Sequence, residues 1–368
     1  MLEKIKIVYI LPTLDRGGAE RFFVDLIKNI NFNKFSPYLL LYKASGDWVK
    51  EFSGLGVEIK VLKKKPGFDL INFFKIYSYL RKLKADIAHA QLGFYGVLAA
   101  HLARTKKIVF TEVNVNLDES SLYRFLKRLI LPLADRIIAV SLAVKTDMSW
   151  RYNLSLDKIV VVYNGIEVNN FPALTLQTEA ERTARAKRGK TNFVFGTLGR
   201  LEKQKGQKYL IKAFKEAKLK NTKLVIAGEG SLKASLQKLI SRLKLNSQVE
   251  LRGAVKAQEF FQEIDVFILP SLWEGMGIVL VEAALSARPI IFFDIPGANE
   301  VLSEDNAWPV KLKNVKALAK EMKIVKDSYN QPDIALRVLK ARTEMLKRFD
   351  IKEIAKIHEN IYLALLKD

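Results

Sequence analysis

Short apolar runs alternate with amphipathic stretches from one end of the chain to the other, and this alternation predicts strands taken in turn with helices. The first unit reads as a strand over Ile5 to Leu11, a loop over Pro12 to Gly18 and a helix from Ala19 to Ile30. Further strands are predicted at Ser36 to Tyr42, Val57 to Leu62, Ile87 to Ala90, Ile108 to Thr111, Arg136 to Val140 and Ile159 to Tyr163, and Asn164-Gly165 then marks a turn. A polar, charged and weakly periodic segment, Gln177 to Lys190, reads as a linker or a surface helix beside one. A second series opens with Phe193 to Leu198 and continues through Lys223 to Ala227, Val249 to Leu251, Val266 to Leu269 and Ile290 to Phe293. The stretch from Ile351 to Leu366 closes the chain with apolar residues at helical spacing. Strand and helix in strict alternation is the pattern of parallel sheets covered by helices, so the fold class is α/β. Two doubly wound, Rossmann-like domains account for the two series, with ligands expected beyond the carboxyl ends of the strands and in a cleft between the domains.

Composition narrows the picture. At 368 residues the chain exceeds what one core usually supports, and 49% hydrophobic residues argue against disorder. Cysteine is absent, which removes disulfides, thiolate metal sites and a cysteine nucleophile together. The apolar run that follows Lys4 is too short for a signal peptide, and no later run reaches the length of a membrane span, so a cytoplasmic protein is expected. Neither an Asp-x-Asp context for a divalent metal nor a histidine cluster at zinc spacing is found, and no metal or cofactor is expected.

The net charge of +22 is shared evenly by the two halves and forms no basic tail. Its densest patch runs from Lys60 to Lys84, where Lys60, Lys63, Lys64, Lys65, Lys75, Arg81, Lys82 and Lys84 face only Asp69, interleaved with Phe68, Ile71, Phe73 and Phe74. Leu122 to Ile130 is again basic and apolar together. Each is either an ordinary amphipathic helix with its apolar side on the core, or a surface for anionic lipid, which makes an anionic membrane a candidate partner. Dispersed cations without a recognised binding motif argue against nucleic acid.

The segment from Pro270 to Glu300 carries the chemistry. Val266 to Leu269 ends in the turn-forming Pro270-Ser271, and Gly275-Met276-Gly277 then opens a helix over Ile278 to Ala287. Strand, glycine turn and helix aim backbone amides and a positive dipole end at one spot, which suits a phosphate. Glu274 would repel that phosphate and is better placed to accept hydrogen bonds from sugar hydroxyls, while Glu282, further into the helix, could grip a ribose. Arg200 and Lys205 follow another strand end and could neutralise a departing diphosphate. Gly17 and Gly18 would let amides approach a ligand from the first domain, and Gly228 and Gly230 would make room for a nucleoside. The bland alternatives are surface lysines, a plain helix-entry turn and a glutamate salt-bridged to lysine.

In this order the motifs resemble a known family, the retaining glycosyltransferases of family 4, and the resemblance covers nearly the whole chain. Gly17-Gly18-Ala19-Glu20 resembles the family's glycine-rich first loop, and Asn164-Gly165-Ile166 the end of its first domain. Gly199-Arg200-Leu201 with Lys205-Gly206 resembles its basic loop, Gly228-Glu229-Gly230 the next turn, and Glu274 to Glu282-Ala283 its glutamate motif, extended by Pro289 and Gly297 to Glu300. The resemblance implies the two-domain GT-B architecture: residues 1–170 bind the acceptor, 171–348 bind the nucleotide-sugar, and 349–368 form a helix returning to the first domain. It implies transfer, without a metal, from a UDP- or GDP-linked sugar to a glycan or lipid-linked acceptor, as in envelope polysaccharide or glycolipid synthesis. Glu274, Arg200 and Lys205 carry the chemistry in this reading. Gly17, Gly18, Gly228, Gly230, Gly275, Met276, Gly277 and Glu282 hold the donor. A nucleotide-sugar epimerase and a non-catalytic basic binding protein are the alternatives.

Departures from the family pattern fall in the first domain. Val113 stands where many relatives have a histidine near the donor sugar, leaving Glu112 or Asn114 as replacements. His89 is expected at a strand end where it could face the cleft, with Gln91 two residues on in place of another histidine, whereas His101 is expected to be structural. Ala287 replaces a common glycine before Pro289.

Overall fold

Each predicted strand is present, and each lies parallel to its neighbours. The structure is a computed structural model and describes residues 3–15, 17–63, 69–115, 117–174 and 193–367. Gln177 to Lys190 therefore lies outside the described residues, as do Lys64, Lys65 and Phe68 of the basic patch. The chain divides into two compact units, Met1–Glu167 with Phe349–Asp368, and Val168–Arg348.

The first unit holds strands β1 (Ile5–Leu11), β2 (Phe35–Leu41), β3 (Glu58–Val61), β4 (Ile87–Gln91), β5 (Lys107–Glu112), β6 (Arg136–Ala139) and β7 (Ile159–Val161), in the order β3-β2-β1-β4-β5-β6-β7. Helices α1 (Gly18–Asn29), α2 (Leu70–Leu83), α3 (Phe94–Leu102), α4 (Ser121–Ile130) and α5 (Leu142–Tyr152) cover it. In the second unit β8 (Phe193–Leu198), β9 (Thr222–Ala227), β10 (Val249–Arg252), β11 (Val266–Leu269), β12 (Ile290–Asp294) and β13 (Trp308–Lys311) run in the order β10-β9-β8-β11-β12-β13. Its helices are α6 (Gln207–Ala217), α7 (Lys233–Arg242), α8 (Ala257–Glu263), α9 (Ile278–Leu285), α10 (Pro296–Asn299), α11 (Val315–Asp327) and α12 (Pro332–Arg348). The strand order reverses between β1 and β4 in the first sheet and between β8 and β11 in the second. Loops leaving such paired strands diverge and open a crevice at their carboxyl ends.

The edge strand β13 is absent from the sequence reading. Trp308-Pro309-Val310-Lys311 is short and contains a proline, which an edge strand tolerates because one side of its backbone needs no partner.

A last helix, α13 (Ile351–Lys367), packs against α1 in the first unit and completes that core with Ile351, Ile354, Ala355, Tyr362 and Leu365. It corrects the expectation for His89. That imidazole is fully buried, with Nδ1 2.7 Å from the Tyr362 hydroxyl and Nε2 2.7 Å from Thr111 Oγ1. A neutral ring satisfies both hydroxyls when one donates and the other accepts, so His89 locks α13 to the sheet and faces no ligand. His358 stacks on it with ring centroids 6.1 Å apart and directs Nδ1 to the Ile354 carbonyl at 3.0 Å. His101, expected to be structural, is exposed in the last turn of α3 and lies outside this buried pair.

Both buried histidines are held neutral in the folded chain. Burial pushes His358 down to about 4, and burial followed by the neighbouring His358 holds His89 well below the usual histidine range. In the unfolded chain a histidine titrates near 6.5, so the stabilisation is full above that value and is lost as pH falls towards 4. Between about pH 8 and pH 5, His358 alone is expected to cost about 2 kcal/mol of stability. A urea midpoint that does not fall over this interval would contradict the neutral, buried pair.

Candidate functional site

The two predicted motifs of the second unit meet because their strands are neighbours. The loop after β8 carries Gly199-Arg200 and, in a single 3-10 turn over Lys203–Lys205, the predicted cation; the loop after β11 carries Ser271 and Glu274. Lys205 Nζ lies 2.6 Å from Glu274 Oε1, and Ser271 donates its hydroxyl to the same oxygen at 2.6 Å. Oε2 of Glu274 accepts from Gln204 Nε2 at 3.4 Å, and that amide also donates to the Trp273 carbonyl at 2.9 Å. Arg200 is exposed and reaches the same cluster through Gln204, with Nη2 3.3 Å from Oε1. Glu274 is 7% exposed and the Lys205 side chain 16%. Ion pairs with this much burial are held by charge-assisted hydrogen bonds in a medium less polar than water.

Backbone contacts bring the two loops this close. Leu272 N donates to the Gln204 carbonyl at 2.7 Å. Gly206 has φ +61, and a Cβ there would sit 2.0 Å from the Pro270 carbonyl oxygen. Only glycine fits both the conformation and the approach, which explains its place directly after Lys205. Gly228, at φ +139 after β9, is equally constrained, since a Cβ would lie 2.0 Å from the Gly199 carbonyl oxygen. The turn it begins is tied to the β8 loop by Leu201 N to the Glu229 carbonyl at 2.8 Å and Leu232 N to the Leu201 carbonyl at 2.9 Å. Gly230 lies in the same turn, against the Leu201 backbone. Glu229 itself is exposed and pairs with Lys233 at 3.1 Å.

Gly275 and Met276 lead to Gly277, the N-cap of α9 with φ +77, so the helix starts directly beyond Glu274. Glu282 lies a little over one turn into α9 and is half-buried. On the far side, Gly297 of the short helix α10, which follows β12, packs against the Glu274 carbonyl and closes the cluster on its β12 side. A buried anion and a half-buried cation are thus side by side at the switch point of the sheet, with a helix N-terminus next to them. Such a set can hold a polyol through the carboxylate and an oxyanion through the amine.

Sequence reasoning missed Gln204 and the bond from Ser271. Gln204 is buried although it stands between two lysines, and the signal was a polar residue inside a tight turn that joins two predicted site residues. In the first unit, Gly17 is the N-cap of α1 in extended backbone at φ −158, and Gly18 is the first helical residue. They lie beyond the carboxyl end of β1, one of the two strands where the order reverses. Glu112, considered as a replacement for the family's histidine, is committed elsewhere. It is fully buried, and Lys127 Nζ lies 2.8 Å from its Oε2.

With this geometry in place, comparison with known proteins decides the family. The family described as Glycosyltransferase Family 4 matches residues 16–170, and that described as Glycosyl transferases group 1 matches residues 178–335. The chain belongs to the family 4 glycosyltransferases. Among curated relatives, it is 26% identical over 318 residues to the UDP-Gal:alpha-D-GlcNAc-diphosphoundecaprenol alpha-1,3-galactosyltransferase of Escherichia coli, covering 81% of this chain and 80% of that one. It is also 26% identical over 319 residues to the Campylobacter jejuni N-acetylgalactosamine-N,N'-diacetylbacillosaminyl-diphospho-undecaprenol 4-alpha-N-acetylgalactosaminyltransferase, covering 82% and 84%. Among solved structures, Anabaena HepE in complex with UDP and glucose superposes with a TM-score of 0.82 at 21% identity, over 97% of this glycosyltransferase and 99% of HepE. A glycosyltransferase from Rickettsia africae gives 0.83 at 19% identity over the whole of both chains. The fold of this glycosyltransferase is accordingly GT-B, with two Rossmann-like parallel sheets.

Proposed function

We propose that this glycosyltransferase moves a hexose from a UDP- or GDP-linked donor, with retention of configuration, to a glycan or lipid-linked acceptor in polysaccharide or glycolipid synthesis. The observation that carries the reading is the Lys205–Glu274 pair at 2.6 Å, beside the exposed Arg200 and the start of α9. Lys205 has three N–H donors and can hold a diphosphate oxygen while keeping its bond to Glu274. Arg200 adds a second cation. As the glycosidic bond breaks, its electron pair passes to the diphosphate oxygen, and charge grows where these groups stand. The freed oxyanion takes the proton of the incoming hydroxyl, which attacks from the same face and so retains the configuration. Glu274, neutralised by Lys205 and fixed by Ser271, accepts hydrogen bonds from donor-sugar hydroxyls. Glu282 takes the ribose hydroxyls, and Gly228 and Gly230 leave room for the nucleoside.

The relatives' names support the substrate classes: the Escherichia coli enzyme uses UDP-Gal, both bacterial relatives are named for a diphospho-undecaprenol acceptor, and HepE was solved with UDP and glucose. A thermal-shift series with UDP, GDP and ADP tests the donor site. The wild type is expected to be stabilised by one base selectively, and Glu282→Ala to lose most of that shift. Equal shifts with all three, or none with any, would contradict the assigned donor site.

A further inference from the structure

Helix α4 is inside out. Its residues Tyr123, Lys127 and Ile130 turn towards the sheet, and Lys127 is only 2% exposed. On the opposite face Leu122 is 70% exposed, and Phe125 and Leu129 are 57% exposed each. These three stand at i, i+3 and i+7 and so form one stripe. The cause of the inversion is fixed in the core: Lys127 Nζ lies 2.8 Å from Glu112 Oε2 and 3.1 Å from Glu119 Oε1, and it donates to the Tyr152 hydroxyl at 3.2 Å. The helix cannot roll its apolar stripe inward without stripping a buried cation of its partners.

A second apolar patch stands close by. Leu70, Ile71 and Phe74 at the start of α2 are more than half exposed. Helix α3 packs against both α2 and α4. Asn72 of α2 donates to the Tyr42 carbonyl at 3.0 Å, and the hydroxyls of Tyr42 and Tyr123 converge on Gly93, lying 2.8 and 4.0 Å from where its Cβ would be. Both helices therefore flank the same point beyond the carboxyl ends of β2 and β4. Lys75 of α2 and Arg128 of α4 are exposed next to these residues in the chain, Lys43 is exposed directly after Tyr42, and Asp118 is an exposed acid on the approach to α4.

We propose that the outer faces of α2 and α4 form one docking surface for an anionic lipid bilayer. Apolar side chains inserted among headgroups with cations around them are what such a surface recognises. A second copy of this chain is the poorer occupant, because each copy carries +22 and would bring like charge to the contact. Among the described residues no helix is long and apolar enough to cross a membrane, so the contact lies along the surface. The inference deepens the reading of a lipid-linked acceptor and rests on it for its purpose, since docking would place the first sheet's carboxyl ends at the bilayer.

Sedimentation with sucrose-loaded vesicles of phosphatidylglycerol and phosphatidylcholine tests it without any transfer assay. The wild type is expected to pellet with these vesicles and to remain in solution with phosphatidylcholine alone. Phe125→Ser/Leu129→Ser and, separately, Arg128→Glu are expected to weaken binding roughly tenfold or more while the melting temperature holds. A wild type that ignores anionic vesicles, or variants that bind as well as it does, would overturn the proposal. So would a dimer that the double variant splits, since the stripe would then be a protein contact. Vesicle binding in a protein that binds no nucleotide would leave the docking surface standing and the transferase reading refuted.

Discussion

Lys205→Met is expected to lower kcat/KM for sugar transfer by ~10²–10³-fold, the usual effect of removing one group aimed at charge that develops in the transition state. The reason lies in what Lys205 touches. Its amine is within 2.6 Å of Glu274, at the crevice where the β8 and β11 loops part, and it is a half-buried cation beside the site proposed for the leaving diphosphate. The same substitution also leaves Glu274 with Ser271 and Gln204 as its remaining side-chain partners. Gln204→Ala, which removes a positioning contact only, is expected to cost much less. The decisive comparison is kcat/KM for the two variants alongside their melting temperatures. Equal losses in both, or a Lys205→Met enzyme within a factor of about three of wild type, would deny Lys205 its role in the transition state.

Lys127→Met is expected to destabilise the protein by about 3–5 kcal/mol, because it leaves two buried carboxylates without their cation. Glu112 is fully buried, Glu119 nearly so, and Tyr152 is already used as a donor to Glu119 Oε2 at 2.9 Å. The neighbouring carboxylates hold the Lys127 ammonium above its ordinary value, against the opposing effect of burial. The ammonium's own contribution to stability is present below the usual lysine range and is lost as pH rises beyond it. Adding Glu112→Gln to Lys127→Met should recover part of the loss, since a neutral amide is cheaper to bury than an unpaired charge. Urea midpoints of the single and double variants decide the matter. A single variant within about 1 kcal/mol of wild type would mean that α4 can turn over and is not fixed by Lys127.

What could be read in the sequence follows from range. Strands of a parallel sheet are buried on both faces, so Val266-Phe267-Ile268-Leu269 and its counterparts announce themselves without any knowledge of their neighbours. Local order also singled out Lys205 and Glu274 as candidates, because each sits a few residues beyond a strand end, where doubly wound sheets place ligands. The strand order that makes β8 and β11 neighbours is invisible locally, and with it the Lys205–Glu274 contact across 69 residues. His89 was misread for the same reason: its partner Tyr362 lies 273 residues away on α13. Helix α4 shows the limit most plainly. Its pattern of apolar and basic residues fits either orientation, and the choice is made by Glu112 at the end of β5, 15 residues earlier.

The central claim is that this chain transfers a nucleotide-linked sugar with retention. The measurement that tests it most directly is the anomeric proton coupling of the product, by NMR, after incubation with hexose donors of the nucleotide selected by thermal shift and a diphospho-lipid glycan acceptor. An α-linked product from an α-linked donor is the predicted result. A β-linked product, or conversion of the donor to a free sugar or epimer with the acceptor untouched, would contradict it.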